Sequence, residues 1–364
     1  MRLSKTLTTY IGKRFFSSFA TVFTSLLALI FVFDLIELLR RTATREQASF
    51  AVNIEMALLK LPNTAQTMLP FAVLFGAMLT YWRLTRTQEL VVARAAGVSV
   101  WQFLFPALVV ALLIGVFRMT IFNPVASVMT QRYEALESQI FRGRTSLLAV
   151  SETGLWLRQA NGPDHSIVHA QGVAQQNMQL FDITVYLFEG QDRYIGRIDA
   201  KQARLDGGYW LIDDADIVLG DHPPVHHDHY NLVTDLTVEN IQDSFAAPET
   251  MSFWDLPAFI DVLERAGFSG TRHRLYLHSL LASPALLAAM VLIAAVFSLR
   301  MIRRGGTLAV AATGIFTGFL IYFLSDLVFA LGLSARLPVE LAAWTPATVA
   351  MLFGLAVLLH VEDG

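Results

Sequence analysis

The chain has 364 residues, 54% hydrophobic and only 16% charged, with a mean hydropathy of +0.50. An ordinary soluble domain is roughly 25% charged, so the composition excludes one. Zero cysteines exclude disulfides, thiolate-held zinc, iron–sulfur clusters and a thiol nucleophile, and the formal net charge of -3 hides two opposite halves.

Six runs contain no Asp, Glu, Lys or Arg: 15–33, 61–82, 95–117, 275–299, 305–325 and 341–361. Each can cross about 30 Å of hydrocarbon as a helix rising about 1.5 Å per residue. They predict an α-helical polytopic membrane protein with six transmembrane helices, three on either side of a long interval. The first run exceeds a signal-peptide core of about 7–15 residues, and Asp34, Glu37, Arg40 and Arg41 follow it instead of small residues. It is read as a retained helix.

Lys and Arg resist translocation, so their distribution sets the orientation. Arg2, Lys5, Lys13 and Arg14 precede span one, Arg83, Arg86 and Arg94 follow span two, and Arg300, Arg303 and Arg304 follow span four. The opposite side holds only Arg40, Arg41, Arg45, Lys60 and Arg336 in short loops. Both termini are therefore expected in the cytoplasm and residues 119–274 outside.

The loop at 83–99 is rich in helix formers, mixes apolar and charged residues, and carries Gly97 as a natural helix terminator. It reads either as a plain connector or as a coupling helix seated in a separate ATPase. In the second case Glu89, a lone acid among Arg83, Arg86 and Arg94, is available to a basic residue of that partner. Beyond span three, Asn123-Pro124 interrupts the helix, and the segment to Phe141 continues it as a stalk.

Residues 140–250 change character. Turn signals such as Asn161-Gly162-Pro163 and Asp206-Gly207-Gly208 separate short β-prone stretches, predicting a small sandwich, jellyroll or open barrel. This interval holds 7 Lys and Arg against 16 Asp and Glu, so it carries -9 and the remainder +6. An acidic domain repels phosphates, so if it handles an amphiphile it should hold the apolar part. Ser252-Phe-Trp-Asp255 resembles a capping box for an amphipathic helix at 256–266, ended by Gly267 and Gly270. The expected domains are 1–135, with spans one to three and the loop at 83–99; 136–250, all-β; 251–274, a helical connector; and 275–364, with spans four to six.

Catalytic signatures are missing. Of the four lysines only Lys13 follows a glycine, and Arg14 comes next where a P-loop needs Ser or Thr, so ATP hydrolysis must come from another subunit. The stretch 221–229 holds four of the nine histidines, but Pro223-Pro224 marks a solvated loop, and no metal site is expected there. His278 in span four is read as a packed helix residue. No nucleophile elbow, H-E-x-x-H or paired-carboxylate signature appears.

Glu89-Leu90-Val91-Val92 followed by Ala96-Gly97-x-Ser99 resembles the cytoplasmic loop motif of the LptF/LptG family of lipopolysaccharide-export permeases. Tyr10-Ile-Gly-Lys13, Gly154-Leu-Trp156, and Gly314 to Tyr322 with Asp326 add to the likeness, which covers essentially the whole chain. Span five, Pro338 and Trp344-x-Pro346 look closer to the LptG-type branch. The resemblance implies a Gram-negative inner-membrane permease with a periplasmic all-β domain of jellyroll type. It further implies an LptF-like paralogue as heterodimer partner, an LptB-like ATPase dimer that binds ATP and Mg, and an LptC-like protein and LptA-like bridge that receive lipopolysaccharide. On this reading the chain is not an enzyme and holds no cofactor.

The site residues follow from the same resemblance. Arg83, Arg86, Glu89, Leu90, Arg94 and Gly97 would couple to the ATPase. Arg40, Arg41 and Arg132 would bind lipid A phosphates, although Asp34 and Glu37 lie two turns and one turn inside the first two and could neutralise them. Gly314 and Gly318, a small-xxx-small face, and Tyr322 would serve helix packing or a lateral gate. The alternatives are the permease of another lipid- or lipoprotein-exporting system and a membrane scaffold without transport.

Overall fold

The computed structural model describes residues 5–43, 49–142, 148–151, 154–161, 164–174, 179–190, 193–220, 222–234, 236–237, 241, 246–265, 268–298, 307–334 and 336–363. The turn residues Gly162, Pro163, Asp221 and Gly267 and the flanking arginines Arg2, Arg45, Arg300, Arg303 and Arg304 lie outside them. The chain forms two compact units, one of Met1–Ile140, Glu249–Trp254 and Arg274–Gly364, the other of Phe141–Pro248 and Asp255–His273.

The first unit is helical. Its elements are α1 (Lys5–Thr42), α2 (Phe50–Arg86), α3 (Glu89–Ala95), α4 (Val100–Phe117), a π-helical turn (Arg118–Phe122) and α5 (Asn123–Glu137). After the inserted unit come α7 (Thr271–Ser298), α8 (Thr307–Leu333) and α9 (Val339–Asp363). Among the described residues 6 helices are long and apolar enough to cross a membrane. They outrun the uncharged stretches because flanking Lys, Arg and Glu are good helix formers once in water.

Local chemistry sets the helix ends and joints. Ser99 opens α4 with a capping box: its Oγ accepts from the Gln102 N–H (3.3 Å), and Gln102 Oε1 accepts from the Ser99 N–H (3.2 Å). At Asn123-Pro124 the helix continues through the π turn instead of stopping. Pro124 offers no N–H to the Thr120 carbonyl, which accepts from the Trp254 indole N–H at 3.1 Å. Asn123, fully buried, accepts from the Phe253 N–H (2.7 Å) and donates to the Tyr276 hydroxyl (3.0 Å). In α7, Pro284 leaves the Leu280 carbonyl free, and the Ser283 hydroxyl donates to it at 2.7 Å.

Helix backbones approach one another directly at two glycines. A Cβ at Gly76 of α2 would lie 2.7 Å from the Phe19 Cα of α1, and one at Gly115 of α4 would lie 2.4 Å from the Pro284 Cα of α7. Backbone meets backbone there, the close crossing that small residues permit in hydrocarbon. The core around them joins Phe15, Leu74, Tyr81, Leu104 and Leu287 to Ile293 of α7.

The second unit contains a seven-stranded antiparallel sheet in sequence order: β1 (Leu148–Ser151), β2 (Gly154–Asn161), β3 (Asp164–Ala174), β4 (Gln179–Glu189), β5 (Arg193–Asp206), β6 (Tyr209–Leu219) and β7 (Val225–Val233). The all-β insertion is thus realised as a meander, each strand bonded to its sequence neighbour. A crease crosses it. Ala170 and Val173, Leu180 and Ile183, Ala200 and Ala203, and Ile212 and Ala215 face one core although three residues apart, so each strand carries an extra residue at that level. Asp182 (φ 49°) and Asp214 (φ 61°) supply the left-handed backbone this requires. One apolar cluster therefore collects side chains from both sides of the bend, Val168 and Val185 with Trp210 and Ile212. Buried Gln159 ties the far side: its Oε1 accepts from Trp210 Nε1 (3.0 Å) and Thr234 Oγ1 (2.7 Å).

Two expectations change here. Ser252 is not the cap of the connector helix: its Oγ accepts from the Trp254 N–H in a local turn (3.1 Å), while α6 (Leu256–Arg265) starts with the Phe259 N–H on the Asp255 carbonyl (3.0 Å). Leu263 of α6 and Phe268 bury in the sheet's core, so this helix belongs to the β unit and is no free connector.

The histidine stretch is also no loop beyond Pro224. His226, His227 and His229 lie on edge strand β7, because register with β6 continues through Ile217↔Val225 and gives the backbone a ladder. His226 Nδ1 lies 2.9 Å from Asp216 and His229 Nδ1 2.8 Å from Asp213, while Asp214 and Asp228 lie 3.7 and 3.6 Å from His226 Nε2. The hydrogen bond to Asp216, ahead of the surrounding carboxylates, raises His226 above the ordinary imidazole value. A raised value means stabilisation fully present below about pH 6.5 and lost as pH climbs through the folded value. Asp214, lowered by its hydrogen bond to Lys201, runs oppositely and loses its contribution only on acidification into the carboxylate range. Backbone amides of β6 and β7 should therefore be better protected from hydrogen exchange at pH 6 than at pH 8, after correction for intrinsic rates. In His226→Gln that difference should vanish; equal protection at both pH values in the parent would contradict the coupling.

Candidate functional site

The segment at 83–99 splits between two helices. Arg83 and Arg86 lie in the last turn of α2, and Glu89, Leu90 and Arg94 on α3. Gln88 between them is left-handed (φ 63°), a conformation costly for a residue with a Cβ, and it turns the chain sharply into α3. Gly97 (φ +82°) closes α3 in a Schellman motif: its N–H donates to the Arg94 carbonyl (2.9 Å) and the Val98 N–H to that of Ala93 (3.0 Å). Leu90 alone of α3 is buried and anchors the segment in the helical core.

Glu89 is one-third exposed and is engaged within its own chain. Oε2 accepts from the Tyr10 hydroxyl (2.8 Å), Oε1 accepts from the Thr87 hydroxyl (2.9 Å), and Arg14 approaches Oε1 at 3.5 Å. The Arg14 guanidinium also lies 5.1 Å from the centre of the Tyr10 ring. The partners of Glu89 are thus Tyr10 and Arg14 of α1 and the adjacent Thr87, not Arg83, Arg86 or Arg94. No local pattern reveals this, since Tyr10 is 79 positions away.

At the other end of α1 each acid has its own cation. Glu37 holds Arg40 through two bonds of 3.0 Å, and Lys60 of α2 takes Asp34 at 2.6 Å. Arg41 reaches Glu137 of α5 at 3.4 Å. Asp34 therefore neutralises Lys60 and neither arginine, which corrects the expectation drawn from its spacing. Arg132 is exposed on α5, and no ion pair to it is found among the described residues. In the sequence Lys60 marks only orientation, because nothing there links it to Asp34.

Gly314 and Gly318 of α8 face α2 of the same chain. A Cβ at Gly314 would lie 2.7 Å from Met78 Cε, and one at Gly318 would lie within contact of Leu74 Cδ2. The small face is thus used for packing inside the chain, and α8 exposes Phe316, Phe319 and Phe323 instead. Tyr322 lies with Phe71 at a ring separation of 5.0 Å, and Phe319 with Phe71 at 4.8 Å. These rings line a cavity of about 410 Å³ between α1, α2 and α8, bounded by Leu26, Met68, Phe75, Phe323 and Asp326. A second, of about 630 Å³, runs between α1 and α4 with Phe16, Phe19, Phe23 and Leu113 on its walls and Lys13 and Arg118 among its lining residues. Apolar walls of this kind suit acyl chains.

Six apolar helices among the described residues, an inserted antiparallel sheet and aromatic cavities in the helical unit define a multi-pass membrane protein whose hydrocarbon region can take an amphiphile's apolar part. A family model described as lipopolysaccharide export system permease LptF/LptG matches residues 9–360, and the chain belongs to that family. It is 26% identical over 359 residues to the lipopolysaccharide export system permease protein LptG of Escherichia coli strain K12, covering 96% of this chain and 97% of that one. The protein of the same description from Haemophilus influenzae strain Rd is 24% identical over 352 residues, covering 94% and 95%.

Proposed function

We propose that this chain is the LptG-like permease subunit of an ATP-driven inner-membrane transporter that lifts lipopolysaccharide from the outer leaflet and passes it toward the outer membrane. Its partners on this reading are an LptF-like paralogue, an LptB-like ATPase dimer that binds ATP and Mg, and an LptC-like protein leading to an LptA-like bridge. The termini and α3 face the cytoplasm and the β unit the periplasm, in keeping with the distribution of Arg and Lys. The observation that carries the reading is α3: a seven-residue helix, fixed at both ends, that presents a one-third exposed carboxylate held by Tyr10, Thr87 and Arg14, in a chain without a P-loop. A basic residue of the ATPase pairs with Glu89.

Acyl chains occupy the aromatic cavity beside Tyr322, while Arg41 and Arg132 contact lipid A phosphates. Arg40 contributes less, since Glu37 already chelates it. A photocrosslinking amino acid at position 41 should capture lipopolysaccharide in cells. Silence there, with capture at position 316 or 323, would take the arginines out of the path; capture of other lipids alone would argue for a different cargo.

A further inference from the structure

Both carboxylate oxygens of Glu89 are already engaged within the chain. An ionised carboxylate offers about four lone-pair sites. Tyr10 and Thr87 each take one at 2.8 and 2.9 Å, and Arg14 stands 3.5 Å from the oxygen Thr87 already uses. An incoming guanidinium binds side-on through both oxygens and so competes with these partners for the same atoms. Thr87 sits two positions from Glu89 and moves with it. Tyr10 and Arg14 belong to α1, and Arg14 is further disfavoured by like charge once a second cation arrives.

We propose that Tyr10 and Arg14 are positioning residues that latch span one to the coupling acid, and that capture of Glu89 by a basic residue of the ATPase opens the latch. This rests on the reading of Glu89 as the ATPase contact. Arg14 and Glu89 are both only partly exposed, at 39% and 34% of their side chains, so the pair is open to a partner from solvent. On release, Arg14 keeps the face of the Tyr10 ring as an alternative seat. Gly12, Lys13, Phe16, Phe19 and Phe23 of the same helix line the larger cavity, so freeing this end of α1 frees one of its walls. The latch thereby joins nucleotide-driven motion at α3 to the lipid-facing helix without passing through span two.

The test uses the assembled transporter in lipid nanodiscs with lipopolysaccharide, comparing the parent with Tyr10→Phe, Arg14→Gln and Glu89→Gln. Tyr10→Phe should co-purify with the ATPase and hydrolyse ATP as the parent does, while lipopolysaccharide delivered per ATP falls about tenfold, the size of one lost hydrogen bond to a charged group. Arg14→Gln should act in the same direction. Unchanged delivery per ATP in Tyr10→Phe would overturn the latch, and so would parallel loss of assembly, hydrolysis and delivery, the mark of a merely structural role. If Glu89→Gln assembles and transports like the parent, the reading of Glu89 fails; if only Glu89→Gln is defective, the latch alone fails. The absence of native cysteine allows a second readout from spin labels at Thr9→Cys and Ala96→Cys. Their separation should change when the ATPase binds in the parent, and a separation unchanged by the ATPase would also overturn the latch.

Discussion

Glu89→Arg is expected to abolish co-purification of the ATPase and, with it, lipopolysaccharide export in cells. On the proposed pairing with a basic ATPase residue the substitution sets a guanidinium against like charge, and charge reversal at a paired site costs several kcal/mol, enough for a hundredfold or larger loss of affinity at about 1.4 kcal/mol per decade. It also strips Tyr10 and Thr87 of their acceptor and places a like charge beside Arg14. Leu90 still anchors α3 and Gly97 still closes it, so the permease itself should express and insert normally. Retention of the ATPase by Glu89→Arg at parental stoichiometry would remove α3 from the interface.

The second large effect falls on Gly115. Gly115→Leu should destroy the packing of α4 on α7, seen as loss of the monodisperse detergent-solubilised protein or a fall of many degrees in its unfolding temperature. Its Cβ would lie 2.4 Å from the Cα and 3.0 Å from the backbone nitrogen of Pro284, so the helices must separate. Gly318→Leu should be milder, because it meets only the far end of the Leu74 side chain. Pairing it with Leu74→Ala should restore stability, whereas Pro284→Ala should not rescue Gly115→Leu, the obstacle there being backbone. Rescue in both cases, or in neither, would show that the distinction between side-chain and backbone contact does not govern these crossings.

The two glycine sites show where sequence reasoning reaches its limit. Gly314 and Gly318 are conspicuous because they stand four apart on one helix face, a pattern visible in one dimension. Gly76 and Gly115 also stand four residues after a small residue, Ala72 and Ala111, but that spacing does not say that they meet Phe19 and Pro284 on other helices. The same holds for charges. Asp34 lies close in sequence to Arg40 and Arg41, yet pairs with Lys60, because helix α2 runs back past α1 and brings Lys60 to its level.

By itself the sequence determined the six spans, the β insertion and the membership in a permease family, because each is written in runs and motifs that act locally. A run of twenty uncharged apolar residues must be helical in a bilayer whatever surrounds it. Tertiary structure decided which partner each charge has, which glycine faces which helix and where the sheet creases. It also set the opening contrast of charge in place: of the aspartates that make the β interval acidic, Asp213, Asp214 and Asp216 are matched by His229, Lys201 and His226 across strands. Those pairings arise only when distant segments are brought together, and their energies depend on distances that spacing along a chain does not fix.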